Sequence, residues 1–383
     1  FVGRNFKKTS FNMRIAGLLL MLAALAFSGC GGSSKKSLEK GNQAFYRQQY
    51  KVAVKHLDQA LSENDNLAQA YFRRGQSHFY LGNFDQSLID LNAAIEIHPE
   101  ADSFYVERGR LKTAVQDSLG AIQDFEKAIE LRPTNDMAFC GIGLVYYNNK
   151  RYVKAWRAYT SAIQVRPMNY KAFNGRGSTS LKMEDYNDAI YDFRGALALD
   201  QENHYANDGL GRVYTIVGEY DMALDYLDTA IELAPEEDKY YYHKGLVLRN
   251  IGDWQPAVKL FDKALELNPD NFQALNERGY INSQKGEFRK AFKDFNRCIE
   301  LRPGYTKAYY NRGLCRMELQ QFSGAIKDFT TAIDFFPQYT YAFLNRGDCY
   351  YGTGRLNQAC ADWKRSGELG SMQGHARYEQ YCQ

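Results

Sequence analysis

The chain has 383 residues, of which 45% are hydrophobic and 24% charged, with 48 basic against 45 acidic side chains and a formal charge of +3. This balance excludes a disordered polyelectrolyte and a polytopic membrane protein. It also argues against a body built around a basic nucleic-acid footprint.

In chain order, the first feature is an apolar run, Ile15 to Phe27, preceded by Lys7, Lys8 and Arg14 and followed by Ser28, Gly29 and Cys30. At 13 residues it is short for a membrane span and has the layout of a secretory signal peptide. Met13 is a candidate translation start. The segment Leu25-Ala26-Phe27-Ser28-Gly29-Cys30 resembles the lipobox of bacterial lipoproteins. That resemblance implies cleavage after residue 29 and lipidation of Cys30. Multiple acyl chains would then anchor the body without a spanning helix. Gly31 after the Cys implies export to the outer membrane, with the periplasmic face favoured over surface display. Residues 30–36 read as a flexible Gly/Ser tether. Loss of Arg4, Lys7, Lys8 and Arg14 leaves the remainder near −1, so the basic excess belongs to the targeting segment.

The rest of the chain is periodic. Glycine recurs every 34 residues, at Gly41, Gly75, Gly109, Gly143, Gly177, Gly211, Gly245, Gly279, Gly313 and Gly347. Twelve residues after each comes a small side chain (Ala53 in the first repeat, Ala359 in the last). Four further on is a large one: Leu57, Leu91, Phe125, Tyr159, Phe193, Leu227, Phe261, Phe295, Phe329 or Trp363. Proline closes seven repeats, at Pro99, Pro133, Pro167, Pro235, Pro269, Pro303 and Pro337. Apolar spacing of three and four within each repeat predicts two helices. The glycine marks their close approach, and the proline stops the second helix. Short connections make neighbouring helices antiparallel.

This pattern resembles the tetratricopeptide repeat, best seen in Ala308-Tyr309-Tyr310-Asn311-Arg312-Gly313 leading to Phe322, Ala325, Phe329, Ala332 and Pro337. The resemblance implies an all-α, right-handed superhelical solenoid of about ten helix-turn-helix repeats over 37–373. Residues 374–383 are expected to form a capping helix, and the chain's end is similar to those of repeat lipoproteins from the Bacteroidetes. Asn207 stands where a bulky apolar residue is expected, and Gln201 where proline is, so this junction is expected to be looser and cut early by protease.

The remaining cysteines show no C-x-x-C spacing. Cys360 on the last repeat and Cys382 on the cap are the candidate disulfide, against two free thiols as the alternative. Asp90, Asp124, Asp192, Asp294, Asp328 and Asp362 share one phase and are expected to meet Arg74, Arg108, Arg176, Arg278, Arg312 and Arg346. The six histidines fall at unrelated phases, no catalytic constellation appears, and Gly175-Arg176-Gly177 lacks the spacing of a phosphate loop. The expectation is a non-enzyme with no cofactor and no metal.

In repeats of the resembled family the first helices line a concave groove. The positions that would face it hold Phe72, Phe79, Tyr80, Tyr147, Tyr205, Arg212, Tyr242, Arg249, Asn276, Tyr280, Tyr310, Tyr341 and Tyr351. Tyr and Arg suit a binding surface because they join large contact area to a polar tip. The Lys and Asn set with which some members clamp a C-terminal carboxylate is not reproduced, Asn174 and Asn276 standing alone. The expected function is a lipid-anchored scaffold in the bacterial envelope that binds a protein or peptide partner, with no nucleic acid. The alternative is a peptidoglycan- or glycan-binding accessory beside a cell-wall enzyme.

Overall fold

The computed structural model describes residues 32–383. Among these it contains 21 α-helices and no strand. The expected signal segment and lipobox, with Cys30, lie outside the described residues.

The helices fall into two compact units, divided between Val145 and Tyr146. The first contains α1 (Ser33–Tyr46), α2 (Tyr50–Glu63), α3 (Ala68–Tyr80), α4 (Phe84–Ile97), α5 (Asp102–Ala114), α6 (Ser118–Leu131) and most of α7 (Asp136–Asn148). The second contains α8 (Tyr152–Val165), α9 (Tyr170–Lys182), α10 (Tyr186–Leu199), α11 (His204–Val217), α12 (Tyr220–Leu233), α13 (Asp238–Ile251), α14 (Trp254–Leu267), α15 (Phe272–Gln284), α16 (Phe288–Leu301), α17 (Thr306–Glu318), α18 (Phe322–Phe335), α19 (Thr340–Gly352), α20 (Leu356–Glu368) and α21 (Met372–Cys382). Within each unit consecutive helices pack as antiparallel hairpins, and each hairpin packs on the next.

The repeated glycine sets the distance within a hairpin. A Cβ on Gly245 would lie 2.6 Å from the Phe261 ring, and one on Gly313 would lie 2.7 Å from Phe329. The large residue of the second helix therefore seats directly on the first helix's backbone. Phe125, Phe193, Phe261, Phe295 and Phe329 are buried there, each worth about 3 kcal/mol of apolar transfer. Three hairpins carry another glycine two residues earlier, which receives the aromatic of the preceding hairpin. Cβ atoms on Gly141, Gly175 and Gly209 would fall 2.3–2.5 Å from Phe125, Tyr159 and Phe193. Gly175 is thus a packing glycine, not part of a phosphate loop.

The turn inside each hairpin has one left-handed residue, at positions 48, 82, 116, 150, 184, 218, 252, 286, 320 and 354. Glycine fills five of these, and Gln48, Gln116, Lys150, Glu184 and Gln320 adopt φ between 58° and 65°. The next N–H returns to the carbonyl five residues back, as from Asn83 to His78 (2.9 Å), which closes the helix C-terminus. Asn135, Asn169, Asn203 and Asn271 cap following helices by accepting from Ala138, Ala172, Ala206 and Ala274 at 2.9–3.1 Å.

The expected Arg–Asp pairs form in all six hairpins that carry them. Each arginine meets its aspartate through two N–H···O bonds of 2.6–3.0 Å. Its third nitrogen reaches back to the preceding hairpin's second helix, to Asp58, Asn92, Thr160, Asp262, Asn296 or Thr330 at 2.6–3.2 Å. Where the arginine is replaced, so is the aspartate: Ile142 with Ala158, Leu210 with Tyr226, Lys244 with Leu260. No carboxylate in this phase is left buried without a cation, which is the costly arrangement.

Two boundaries and one junction differ from expectation. Helix α1 begins at Ser33, so most of the expected tether is helical, with Ser33 donating to Glu63 on α2 at 2.8 Å. The cap α21 begins at Met372 because Ser371 caps it, its hydroxyl accepting from Gly374 N–H at 3.0 Å. The Asn207 junction is not loose: α11 buries eight of its 14 residues, Asn207 among them. Gly209 and Gly211 let neighbouring side chains close on this helix, and the Asn207 amide donates to the Asn203 carbonyl at 3.1 Å. Early cleavage at this site is not expected from such packing.

The structure joins Cys360 to Cys382 in a disulfide, with Cα atoms 5.7 Å apart, which ties α21 to α20. Arg377 on the cap pairs with Asp348, which also accepts from the Trp363 indole at 2.9 Å. Cys298, Cys315 and Cys349 are buried free thiols. Among the described residues no helix is long and apolar enough to cross a membrane.

Candidate functional site: a polar and aromatic recess in the second unit

Successive first helices place equivalent positions side by side. In the second unit this gathers Arg249 and Asn250 from the end of α13, Asn276, Glu277 and Tyr280 from α15, and Lys307, Tyr310 and Asn311 from α17. Trp254 at the start of α14 and Tyr339, preceding α19, complete a recess of about 460 Å³. Spacings of three and four put each helix's contributors on one face.

The floor is a connected polar chain. Asn311 Nδ2 donates to Asn276 Oδ1 at 3.1 Å, and Asn276 Nδ2 donates to Glu277 Oε1 at 3.1 Å. Glu277 Oε2 closes the chain on Arg249, whose other terminal nitrogen donates to Asn250 at 2.8 Å. Beside it the Tyr310 ring lies 4.7 Å from that of Tyr339, and its hydroxyl accepts from Asn345 Nδ2 at 3.0 Å. Burial pushes the Tyr305 and Tyr339 phenols up to about 12, and raises Tyr310 and Tyr242 as well. Around neutral pH these hydroxyls keep their protons and remain donors. The Glu277 carboxylate is already engaged by Arg249 and Asn276. The recess therefore presents amide and phenol groups beside aromatic faces.

Of the expected groove residues, Arg249, Asn276, Tyr280 and Tyr310 meet in this recess. Tyr242 packs against Phe261, with ring centroids 6.1 Å apart, and Tyr341 is exposed. The others lie elsewhere. Phe72 is a core residue, stacked 4.6 Å from Phe104, and does not line a surface. Phe79 and Tyr80 belong to an aromatic cluster of the first unit. Tyr147 packs on Tyr152 at 5.8 Å. Tyr205 is exposed under Lys239, 4.6 Å from its ring. Arg212 stands 3.8 Å from Asp208, which binds His243 at 2.5 Å. Tyr351 packs on Trp363 and on Tyr381 of the cap. Asn276 does not stand alone, because Asn311 joins it from the next hairpin.

Asn250, Trp254, Glu277, Lys307, Asn311 and Tyr339 were not among the expected residues. Glu277 and Asn311 each follow an expected groove residue by one position, a phase that holds glycine in other hairpins. Asn345 occupies the same phase, so a polar run at 277, 311 and 345 was the available signal. Among the described residues no group of three or more His, Cys, Asp or Glu side chains is arranged to hold a metal ion.

Models of the tetratricopeptide repeat match residues 68–101, 174–238, 239–271, 260–293 and 310–363. With the 34-residue hairpins, these matches show that the chain belongs to the tetratricopeptide repeat family. No curated protein matches it in sequence. Similar solved structures include a monomeric mutant of IFIT1 with Gppp-AAAA, at 15% identity and TM-score 0.56, covering 92% of this chain and 94% of that one. Another is a chain of the APC/C hetero-tetramer Cut9-Hcn1, at 12% identity and TM-score 0.52, covering 94% of this chain and 98% of that one. Both likenesses concern the fold.

Proposed function

We propose that the protein is a non-enzymatic scaffold that holds an extended segment of a partner protein in the recess of the second unit. The observation that carries this reading is the hydrogen-bonded row Asn311–Asn276–Glu277 flanked by Tyr280 and Tyr310. An extended backbone offers alternating N–H and C=O groups, which side-chain amides and phenols complement. Aromatic faces take the adjoining side chains. The same proposal places the body on the bacterial outer membrane through a lipid on Cys30. The apolar run Ile15 to Phe27 and the lipobox-like segment ending in Cys30 support that address, and the Cys360–Cys382 bond suits an oxidising envelope compartment.

The test is crosslinking in intact cells, mild solubilisation and pull-down of the full chain beside a Tyr280→Ala/Tyr310→Ala variant. One reproducible envelope protein, at least tenfold depleted with the variant, is the expected result. Equal recovery by both forms would remove the recess from the reading. An empty pull-down with retention on isolated sacculi would favour a carbohydrate ligand. Labelled palmitate should enter the protein and be lost in Cys30→Ser.

A further inference from the structure

The first unit carries an arginine that no carboxylate among the described residues neutralises. Arg73 on α3 stands beside Arg74, yet their surroundings differ. Arg74 contacts two carboxylates, Asp58 and Asp90, each at 2.6 Å. Arg110, on the next first helix, holds Glu107 at 2.8 Å. Among the described residues no carboxylate lies within ion-pair distance of Arg73. Its partners are neutral: Nε donates to Asn42 Oδ1 (3.2 Å), Nη1 to Gln76 Oε1 (2.8 Å) and Nη2 to the Tyr46 hydroxyl (3.2 Å). Three oxygens from α1 and α3 thus fix the guanidinium in place.

The cation is also held against rings. Its central carbon lies 4.7 Å from the Phe45 centroid, 5.1 Å from Tyr46 and 5.7 Å from Phe72. Phe45 leads to a surface cluster in which Tyr50 and Tyr80 stack at 4.8 Å and Phe79 bridges from Tyr80 to Phe84. Tyr46 is 66% exposed, Tyr80 48% and Phe84 38%. A guanidinium has five N–H donors, so the three bonds leave two free. The fixed cation, its two spare donors and the exposed rings adjoin one another.

We propose that this cluster is a second docking site, separate from the recess, for a side-chain carboxylate in an extended segment of a protein partner, next to an aromatic or branched aliphatic residue. The carboxylate supplies the anion that Arg73 lacks. Charge-assisted bonds to a guanidinium are among the stronger polar contacts. Tyr80 and its neighbours take the apolar side chain. Neutral partners already orient Arg73, so an incoming acid need not order it.

The experiment screens the full chain against a library of acetylated, amidated hexapeptides, fixing one position at a time. The wild type should prefer Asp or Glu over Asn or Gln by about tenfold, beside a preference for Phe, Tyr, Leu or Ile. Arg73→Met should abolish the acidic preference. Tyr80→Ser, at a half-exposed position, should abolish the apolar preference and retain the acidic one. Tyr310→Ala should leave both intact, which separates this site from the recess. No acidic preference in the wild type, or an unchanged one in Arg73→Met, overturns the proposal. So does an apolar preference untouched by Tyr80→Ser. Selectivity that appears only with free C-terminal peptides assigns the site to a main-chain carboxylate and overturns it equally.

Discussion

At the scale of single residues, glycine has two separate duties in this chain. At the repeated first-helix position it provides space, and at the hairpin turn it provides a left-handed backbone. The two predict different mutational outcomes. Gly245→Ala places a Cβ 2.6 Å from Phe261. Overpacking of this kind costs about 1–3 kcal/mol, against which alanine recovers about 1 kcal/mol of helix propensity. We expect a net loss of about 1 kcal/mol in urea denaturation. Gly304→Ala meets nothing within 4 Å and has no left-handed φ, so it should be neutral or slightly stabilising. Equal losses at the two sites would show that the close approach is relieved cheaply. The spacing glycines were legible because they recur without exception. The turn position was not, because glycine fills only half of the ten, and Gln, Lys and Glu disguise the rest.

At the scale of helices and hairpins, the Arg–Asp pairs report on register as well as charge. Asp192 is buried, and burial raises its carboxyl pKa while Arg176 opposes that rise. Arg176→Met removes the opposition and leaves the acid uncompensated. The expected cost is about 3 kcal/mol at pH 7. The variant's folded-state pKa rises further above the unfolded value, so native protein binds the extra proton. Its deficit should therefore shrink as pH falls toward 5. Arg176→Met/Asp192→Leu should recover most of the loss, as Leu210 with Tyr226 already does in another hairpin. A deficit independent of pH would point to lost packing by the arginine stem. These pairs could be read from phase alone, since both partners repeat. The recess could be read only in part. Asn276, Tyr280 and Tyr310 sit in expected positions, but its floor depends on an Asn311–Asn276 bond between helices 35 residues apart in sequence. Which adjacent phases turn inward depends on how closely the hairpins pack, and spacing does not encode that.

For the molecule as a whole, buried weak acids set an alkaline limit. Burial pushes the thiols of Cys298, Cys315 and Cys349 from 9.0 up to about 12, and the phenols of Tyr305 and Tyr339 from 10.0 up to about 12. Between these values the unfolded chain has lost protons that the native chain still holds, so stability falls as pH rises. The melting temperature should hold to about pH 8.5 and drop progressively through pH 9 to 12. Cys298→Ala with Cys315→Val and Cys349→Val copies residues found in other hairpins and should delay the onset by about one pH unit. A flat profile would show that these groups titrate freely in the native state. The arginines that reach back to the preceding hairpin have a different consequence. Each recognises only a short polar side chain 16 residues before it and an aspartate 16 residues after it. If residues 306–339 were excised, Arg346 would face Asn296 where Thr330 now stands, and Asn296 already accepts from Arg312 at 2.7 Å. The seam would close with a bond the molecule already makes. Such a chain can lengthen or shorten by whole 34-residue modules without redesigning its joints, so the reach of the scaffold can change while its stacking chemistry stays the same.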